Sequence, residues 1–293
     1  MTSNFFKVLA YVAIVTSSAV FYSCSKDDNN IESDPTEGLK KVQEFSDDNY
    51  TITVYNETSE WRLGYTKVYF AVQDKEGKFV DNAALRSFPE MDMGMSKHST
   101  PRSEITKVQG KPLYEAYYSF LMTTGMNGKW YYDLSYTVGN KSGKIEGVEI
   151  VVKEVFRPDG TTPRRVIQSI RAVYDNNKRY VITFVEPQKP KTGSNNMTVY
   201  VHERQDANTF VPVENFSLKL DPRMPSMENH SSPNNVDLTW NIAEKIYKGT
   251  VNFSMTGYWT LNLILLNEKG ETVYGSPVSN EQETSSLYFE VEF

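Results

Sequence analysis

Cysteine, histidine and basic charge are all scarce in this sequence of 293 residues. It has one cysteine, three histidines and a formal net charge of −6. A single cysteine excludes an intrachain disulfide and a multi-cysteine zinc site. Without a basic stripe we expect no nucleic-acid partner. The sequence also lacks a phosphate-cradling glycine loop, an H-E-x-x-H motif and a G-x-S-x-G motif. We therefore expect a binding protein and not an enzyme.

Long apolar runs are absent except near the start of the chain. Lys7 precedes an apolar run at 8–22, which has the length of a signal-peptide core and is short for a membrane span. The run leads into Phe21-Tyr22-Ser23-Cys24, which resembles a bacterial lipobox, with Phe21 where Leu is usual. This resemblance implies cleavage before Cys24 and acylation of its thiol. Residues 1–23 are thus predicted to be a lipoprotein signal peptide, and an uncleaved signal anchor is the alternative.

A polar stretch rich in Asp, Asn, Ser, Glu and Lys follows Cys24. This composition predicts a flexible, disordered tether over residues 24–44. Ser25-Lys26-Asp27-Asp28 resembles the surface-export signal of lipoproteins from Bacteroidota. We expect the chain to be held by membrane lipid through Cys24, at the bacterial outer membrane or cell surface. The sequence does not indicate which leaflet of the membrane holds the lipid anchor.

Beyond the tether, apolar and polar residues alternate with period 2 between turn residues, which is the pattern of β-strands. No segment of ten or more residues has helical periodicity. Many short strands at regular spacing predict an all-β, antiparallel sandwich fold. The strands are expected at 50–55, 66–73, 114–122, 130–138, 148–156, 166–174, 180–185, 197–203, 216–220, 236–240, 247–255, 259–266 and 287–293.

The two halves of the chain repeat the same ordered string of residues. A Tyr followed six residues later by Phe-x-Met occurs from Tyr114 and again from Tyr247, and each copy leads to a Gly-x-Trp strand. Such an ordered series indicates duplication. We predict a first sandwich at 45–160 and a second at 161–293, each of a size normal for one hydrophobic core.

Two of the three histidines lie in matched loops that carry the motif Met-x-x-His-x-x-Pro. The first copy ends in Met95, His98 and Pro101, and the second in Met227, His230 and Pro233. Thioether and imidazole form a soft, thiol-free ligand set suited to Cu(I), whereas Mg²⁺ or Ca²⁺ would need carboxylates. The predicted metal ligands are Met91, Met93, Met95, His98, Met224, Met227 and His230. If one copy alone binds, we expect it to be the first, because it is richer in methionine.

The order of strands around these loops resembles the YtkA-like domain, which is related to FixH-like domains. The resemblance covers about residues 64–138 and 195–266. The stretch from Pro222 to His230 is similar to the family's P-x-M-P-x-M-G-H motif, with Glu-Asn in place of Gly. The resemblance implies tandem immunoglobulin-like sandwiches of the bacterial envelope, often found beside copper-handling systems.

The sequence thus favours a lipid-anchored envelope protein that captures, buffers or hands off copper or another soft metal. We expect exchange to pass through an envelope transporter or a metal-handling partner. The alternative is a non-metal interaction or structural module in which the Met-rich loops are apolar contact surface. Convergence of the sulfur and imidazole atoms would favour the metal, and core-facing or scattered sulfurs would favour the interaction module.

Overall fold

The computed structural model describes residues 34–125 and 128–293. The predicted signal peptide, Cys24 and the first part of the tether lie outside these residues. The described residues contain no α-helix, and the only helical element among them is a 3-10 turn at Pro225–Met227. The all-β prediction is therefore confirmed. Residues 35–293 form one compact unit.

The first part of this unit has two antiparallel sheets around one core and a short parallel pair formed by β3 and β11. One sheet has the order β1-β2-β4-β8-β7 and the other the order β10-β9-β5-β6. Inward side chains from both sheets form one core, which includes Trp61, Phe70, Tyr118 and Trp130. The strands are β1 (Lys40–Ser46), β2 (Thr51–Asn56), β3 (Trp61–Arg62), β4 (Gly64–Gln73), β5 (Ala83–Asp92), β6 (Lys97–His98), β7 (Thr106–Lys107), β8 (Tyr114–Phe120), β9 (Lys129–Val138), β10 (Lys141–Ile150) and β11 (Val152–Lys153).

The second part has a separate core that includes Phe184, Trp259 and Phe289. Its strands form one continuous 11-stranded sheet, because β18 pairs with both β16 and β19. Its strands follow the path β12-β13-β14-β19-β18-β16-β20-β21, with β15 on β14, β17 on β16 and β22 on β20. The strands are β12 (Ile167–Ala172), β13 (Lys178–Glu186), β14 (Gly193–Arg204), β15 (Phe210–Pro212), β16 (Ser217–Met224), β17 (His230–Ser231), β18 (Val236–Asn241), β19 (Ile246–Phe253), β20 (Tyr258–Leu266), β21 (Thr272–Gly275) and β22 (Leu287–Glu292).

Alternation along each strand explains why these segments fold as sandwich layers. In β9, Trp130, Tyr132, Leu134 and Tyr136 are all buried, and the residues between them are more exposed. Successive side chains of a strand point to opposite faces, so an alternating sequence places all its apolar residues in the core.

The predicted tether at 24–44 ends earlier than expected. Strand β1 begins at Lys40 and pairs with β2 from Lys40↔Asn56 to Ser46↔Thr51. Phe45 is 1% exposed, so the strand is held by core packing as well as by its hydrogen bonds. The polar composition of residues 40–44 concealed this strand, because its outer positions are solvated.

The two halves share a tyrosine anchor with the same spacing in each. The Tyr114 hydroxyl donates to the Val80 carbonyl at 3.2 Å and accepts the Ala83 N–H at 2.6 Å. The Tyr247 hydroxyl donates to the Val213 carbonyl at 2.8 Å and accepts the Phe216 N–H at 3.3 Å. The sequence separations are 34 and 31 residues in both halves. The repetition noted in the sequence therefore extends to individual hydrogen bonds.

Candidate metal-binding loops

The first Met/His loop, residues 91–98, is a tight hairpin between β5 and β6. Its register places Met91 directly opposite His98. Side chains at directly opposed positions lie on one face of the sheet, with Cβ atoms about 4.5–5.5 Å apart. Met91 is 0% exposed and His98 is 5% exposed, so this face is the inner one. A thioether and an imidazole are thus brought side by side at the rim of the core.

His98 is held in a single orientation by two neighbours. Its Nδ1–H donates to the Ser99 carbonyl at 2.8 Å. Its ring meets Trp130 edge to face, with centroids 5.5 Å apart and planes at 88°. A backbone carbonyl on Nδ1 fixes the tautomer and leaves Nε2 as the available ligand atom, an arrangement common in metal-binding histidines. Within residues 34–125 and 128–293, Nε2 has no hydrogen-bond partner.

The imidazole of His98 is kept neutral by its surroundings. Burial lowers its pKa below the ordinary 6.5, the hydrogen bond to Ser99 opposes this change, and the Arg204 cation lowers the pKa further. Metal binding needs a neutral imidazole. His98 therefore keeps its neutral ligand form to a lower pH than an ordinary histidine does.

The other two methionines of the first loop lie on its turn. Met93 is 36% exposed and Met95 is fully exposed. The turn is closed by the Met93 N–H donating to the Ser96 carbonyl at 3.0 Å, and Gly94 takes a positive φ of 79°. The predicted ligand set is therefore divided, with Met91 and His98 inside and Met93 and Met95 in solvent.

The second Met/His loop, residues 224–230, repeats the opposed pair. Met224 stands directly opposite His230 on β16 and β17, and Met224 is 5% exposed. Met227 lies on the 3-10 turn and is 50% exposed. Unlike His98, His230 is exposed. The structure thus joins Met224 and His230 and leaves Met227 in solvent.

The strand pairing changes which methionines are equivalent. Matching the motifs by sequence aligned Met95 with Met227, three residues before each histidine. The sheet register instead aligns Met91 with Met224, because each stands opposite its histidine. The first loop has one more residue in its turn than the second, and this obscured the match in the sequence.

The same two features flank both Met–His pairs, a tryptophan hydrogen bond and a glycine, and together they form a shared frame. The Trp130 Nε1–H donates to the Met122 carbonyl at 2.9 Å, and the Trp259 Nε1–H donates to the Met255 carbonyl at 3.1 Å. A glycine precedes each tryptophan by two residues and faces the buried methionine. A Cβ on Gly128 would lie 3.2 Å from the Met91 methyl group, and one on Gly257 would lie 2.5 Å from the Met224 methyl group. Gly257 thus gives the Met224 thioether its space, whereas at Gly128 the closest atom to such a Cβ is the Asp92 carbonyl oxygen, at 2.3 Å.

His202, the third histidine, lies between the two sandwiches. Its Nε2 is 3.3 Å from the Tyr117 hydroxyl of the first sandwich, and its buried Nδ1 has no hydrogen-bond partner among the residues that the structure describes. Burial lowers its pKa to about 4. Beside it, the rings of Tyr117 and Tyr200 stack with centroids 4.2 Å apart. The only sequence signal was a strand histidine where the other half has Ala71.

The donor chemistry of the two loops fits a soft metal. The described residues contain no cluster of three or more His, Cys, Asp or Glu side chains that could hold a hard or borderline metal ion. Each loop instead offers an imidazole and a thioether at opposed positions, with further thioethers on the turn. Such ligands suit Cu(I).

A helix long and apolar enough to cross a membrane does not occur within the described part of the chain.

A comparison with curated proteins finds no match to this chain. A comparison with family models matches residues 174–263 to the YtkA-like family. The matched segment runs from the turn after β12 into β20, and it includes the whole second Met/His loop. The chain therefore contains a YtkA-like domain in its second sandwich.

Proposed function

We propose that this protein binds Cu(I) or a similar soft metal through its two Met/His loops. The observation that carries the proposal is the opposed Met–His pair that recurs in both sandwiches, Met91 with His98 and Met224 with His230. The turn between the paired strands adds two exposed thioethers in the first loop and one in the second. In each copy the register places an imidazole and a thioether on the same face of the paired strands.

The residues of each loop have separate tasks in this proposal. The histidine supplies a neutral nitrogen, which in the first loop is oriented by the Ser99 carbonyl. Met91 and Met224 supply a thioether that the core holds in place. Met93, Met95 and Met227 lie in solvent, where they would meet an incoming metal first. Bound Cu(I) would be kept in a soft ligand environment.

The proposed activity is capture, buffering or hand-off and not catalysis. The loops contain a base but no nucleophile paired with it, so they lack the groups that a hydrolytic centre needs. We propose that metal passes between these loops and an envelope transporter or another metal-handling protein. The net charge of −6 favours cationic over anionic cargo.

We further propose that the protein is a lipoprotein anchored through Cys24 at the outer membrane or cell surface. The support is the lipobox-like sequence that ends at the chain's one cysteine. Mass spectrometry of the protein from its native membrane should find a mature chain that begins with acylated Cys24. A chain that retains residues 1–23 would contradict the anchor without affecting the metal proposal.

The metal proposal is tested by Cu(I) competition against a chromogenic Cu(I) chelator, using the full-length protein in detergent. We expect two bound Cu(I) per chain, one in His98→Ala and in His230→Ala, and none in the double variant. Met255→Leu is the control, because this methionine lies outside both loops and is 38% exposed. Unchanged stoichiometry in the double variant would show that the assigned ligands are wrong.

One observation favours a second candidate function, an interaction module without metal. The sulfurs either face the core, in Met91 and Met224, or lie in solvent, in Met93, Met95 and Met227, which is the arrangement expected of the interaction module. Exposed methionines form adaptable apolar contacts with protein partners. If the protein is an interaction module, replacing Met93 and Met95 by Ser should weaken partner capture. Cu(I) binding should then be absent from both the variant and the unmodified chain.

A further inference from the structure

The two Met/His pairs have the same frame but differ in exposure. His98 is 5% exposed, whereas His230 is exposed. Both follow a hairpin turn and both stand opposite a buried methionine. The two pairs also differ in the length of their turns and in the residues that lie around them.

A hairpin of the second sandwich lies over the end of the first loop. The Ser99 N–H, next to His98, donates to the Ala207 carbonyl at 2.9 Å. Ala207 is at the turn between β14 and β15, where Arg204 pairs with Phe210. Arg204 is near enough to His98 to lower the pKa of its imidazole. These contacts place the 204–210 hairpin against the residues that carry the first histidine.

This hairpin has a defined shape. The Asp206 carboxylate accepts the Asn208 N–H at 2.7 Å and the Thr209 N–H at 2.8 Å. The Arg204 Nε–H donates to the Asp206 carbonyl at 3.0 Å. Aspartate bonds of this kind fix the backbone of a turn. The hairpin is therefore a formed element and not a loose loop.

The same strand that ends in the hairpin is attached to the first sandwich. Tyr200 on β14 stacks on Tyr117 of β8, and His202 lies 3.3 Å from the Tyr117 hydroxyl. Tyr65 adds a further ring, 6.2 Å from Tyr200. Stacked aromatic pairs stabilise a contact beyond the area they bury. These contacts hold β14, and with it the hairpin, against the first sandwich.

The second loop lacks such a cover among the described residues. The side chain of Ser231, which corresponds to Ser99, bonds to Asp221 and to the Ser232 carbonyl of its own sandwich. The side chain of Asn229 donates to the Glu283 carbonyl, also of its own sandwich. The second pair thus opens to solvent.

We propose that the 204–210 hairpin covers the first Met/His pair and makes the two pairs unequal. The first pair is a closed site that retains metal, and the second is an open site that exchanges it with a partner. The cover follows from protein contacts alone. The two roles rest on the proposed metal function.

The cover is tested without metal by the reaction of histidine with diethyl pyrocarbonate, followed by peptide mass spectrometry on the full-length protein. His230 should react at least tenfold faster than His98. Tyr200→Ala and Tyr117→Ala remove the stacked pair of rings. Each should accelerate the reaction of His98 and leave the reaction rate of His230 unchanged. Tyr131→Ala, on the outer side of β9, is the control and should change neither rate. Equal rates for His98 and His230 in the unmodified chain would overturn the cover, even if a tyrosine variant failed to fold.

The two roles are tested by the rate at which Cu(I) passes to a chelator. We expect a fast and a slow phase. His230→Ala should remove the fast phase, and Tyr200→Ala should accelerate the slow one. A single phase shared by both loops would overturn the division of roles. Protection of His98 without any Cu(I) binding would overturn the proposed function and the roles, while the cover would stand.

Discussion

Met91 stands directly opposite His98 on paired strands, and both side chains face the core. Replacing Met91 by Leu keeps the apolar volume and removes the sulfur. We expect the free energy of unfolding to change by less than about 1.5 kcal/mol. In a His230→Ala background, Cu(I) affinity should fall by roughly tenfold or more, because a soft ligand is lost. Met122→Leu, outside the loop, should leave affinity unchanged. Unchanged affinity in Met91→Leu would remove this thioether from the ligand set.

The depressed pKa of His98 predicts the pH range in which the first loop works. Protons compete with metal for the imidazole only below its pKa, and burial holds that pKa below 6.5. In a His230→Ala variant, Cu(I) affinity should stay constant between pH 7.5 and 6.5 and fall at lower pH. Competition titrations across this range measure the effect. A loss that begins well above pH 6.5 would contradict the neutral, buried state of His98.

His202 should make stability depend on pH. Its pKa is lowered from 6.5 to about 4 in the folded chain, so the unfolded chain binds a proton first as pH falls. Its contribution is complete above pH 6.5 and is progressively lost between pH 6.5 and 4. This single group accounts for up to roughly 3 kcal/mol of that loss.

His202→Phe keeps an aromatic ring and removes the titration. Urea unfolding at pH 7.5 and 4.5 should show a smaller loss in this variant than in the unmodified chain. His230→Ala, which removes an exposed histidine, serves as the comparison. An identical pH dependence in His202→Phe would show that His202 does not titrate in this way.

The tyrosine anchors predict matched effects in the two sandwiches. Tyr114→Phe and Tyr247→Phe each remove a hydroxyl that accepts one backbone N–H and donates to one carbonyl. Each variant leaves those groups without their partner, and we expect a loss of about 1–3 kcal/mol in the free energy of unfolding. Chemical denaturation measures both, with Tyr131→Phe as control. A loss in one sandwich and none in the other would argue against equivalent anchors.

Much of the fold could be predicted from the sequence because its information is local. Alternation in β9 and β20 indicates strands directly, and the repeated Tyr, Phe and Trp positions relate the two halves. Strands β1 and β5 were not predicted, and β1 was missed because an edge strand with polar outer residues resembles a tether. The pairing of Met91 with His98 was also not evident, since loops of unequal length hide the register.

The contacts between sandwiches could not be predicted. Ser99, next to His98, bonds to Ala207 of the second sandwich, and His202 contacts Tyr117 of the first. No period or spacing in the sequence relates these residues. The sequence supplied the chemistry of the two loops, whereas their difference in exposure emerged only from packing.

The ligands themselves are tested most directly by copper K-edge X-ray absorption on the full-length protein loaded with Cu(I). We expect sulfur and imidazole nitrogen scatterers together, and loss of the imidazole contribution in the His98→Ala, His230→Ala double variant. A spectrum with no sulfur scatterer, or one that the double variant leaves unchanged, would contradict Cu(I) binding by the paired methionines and histidines.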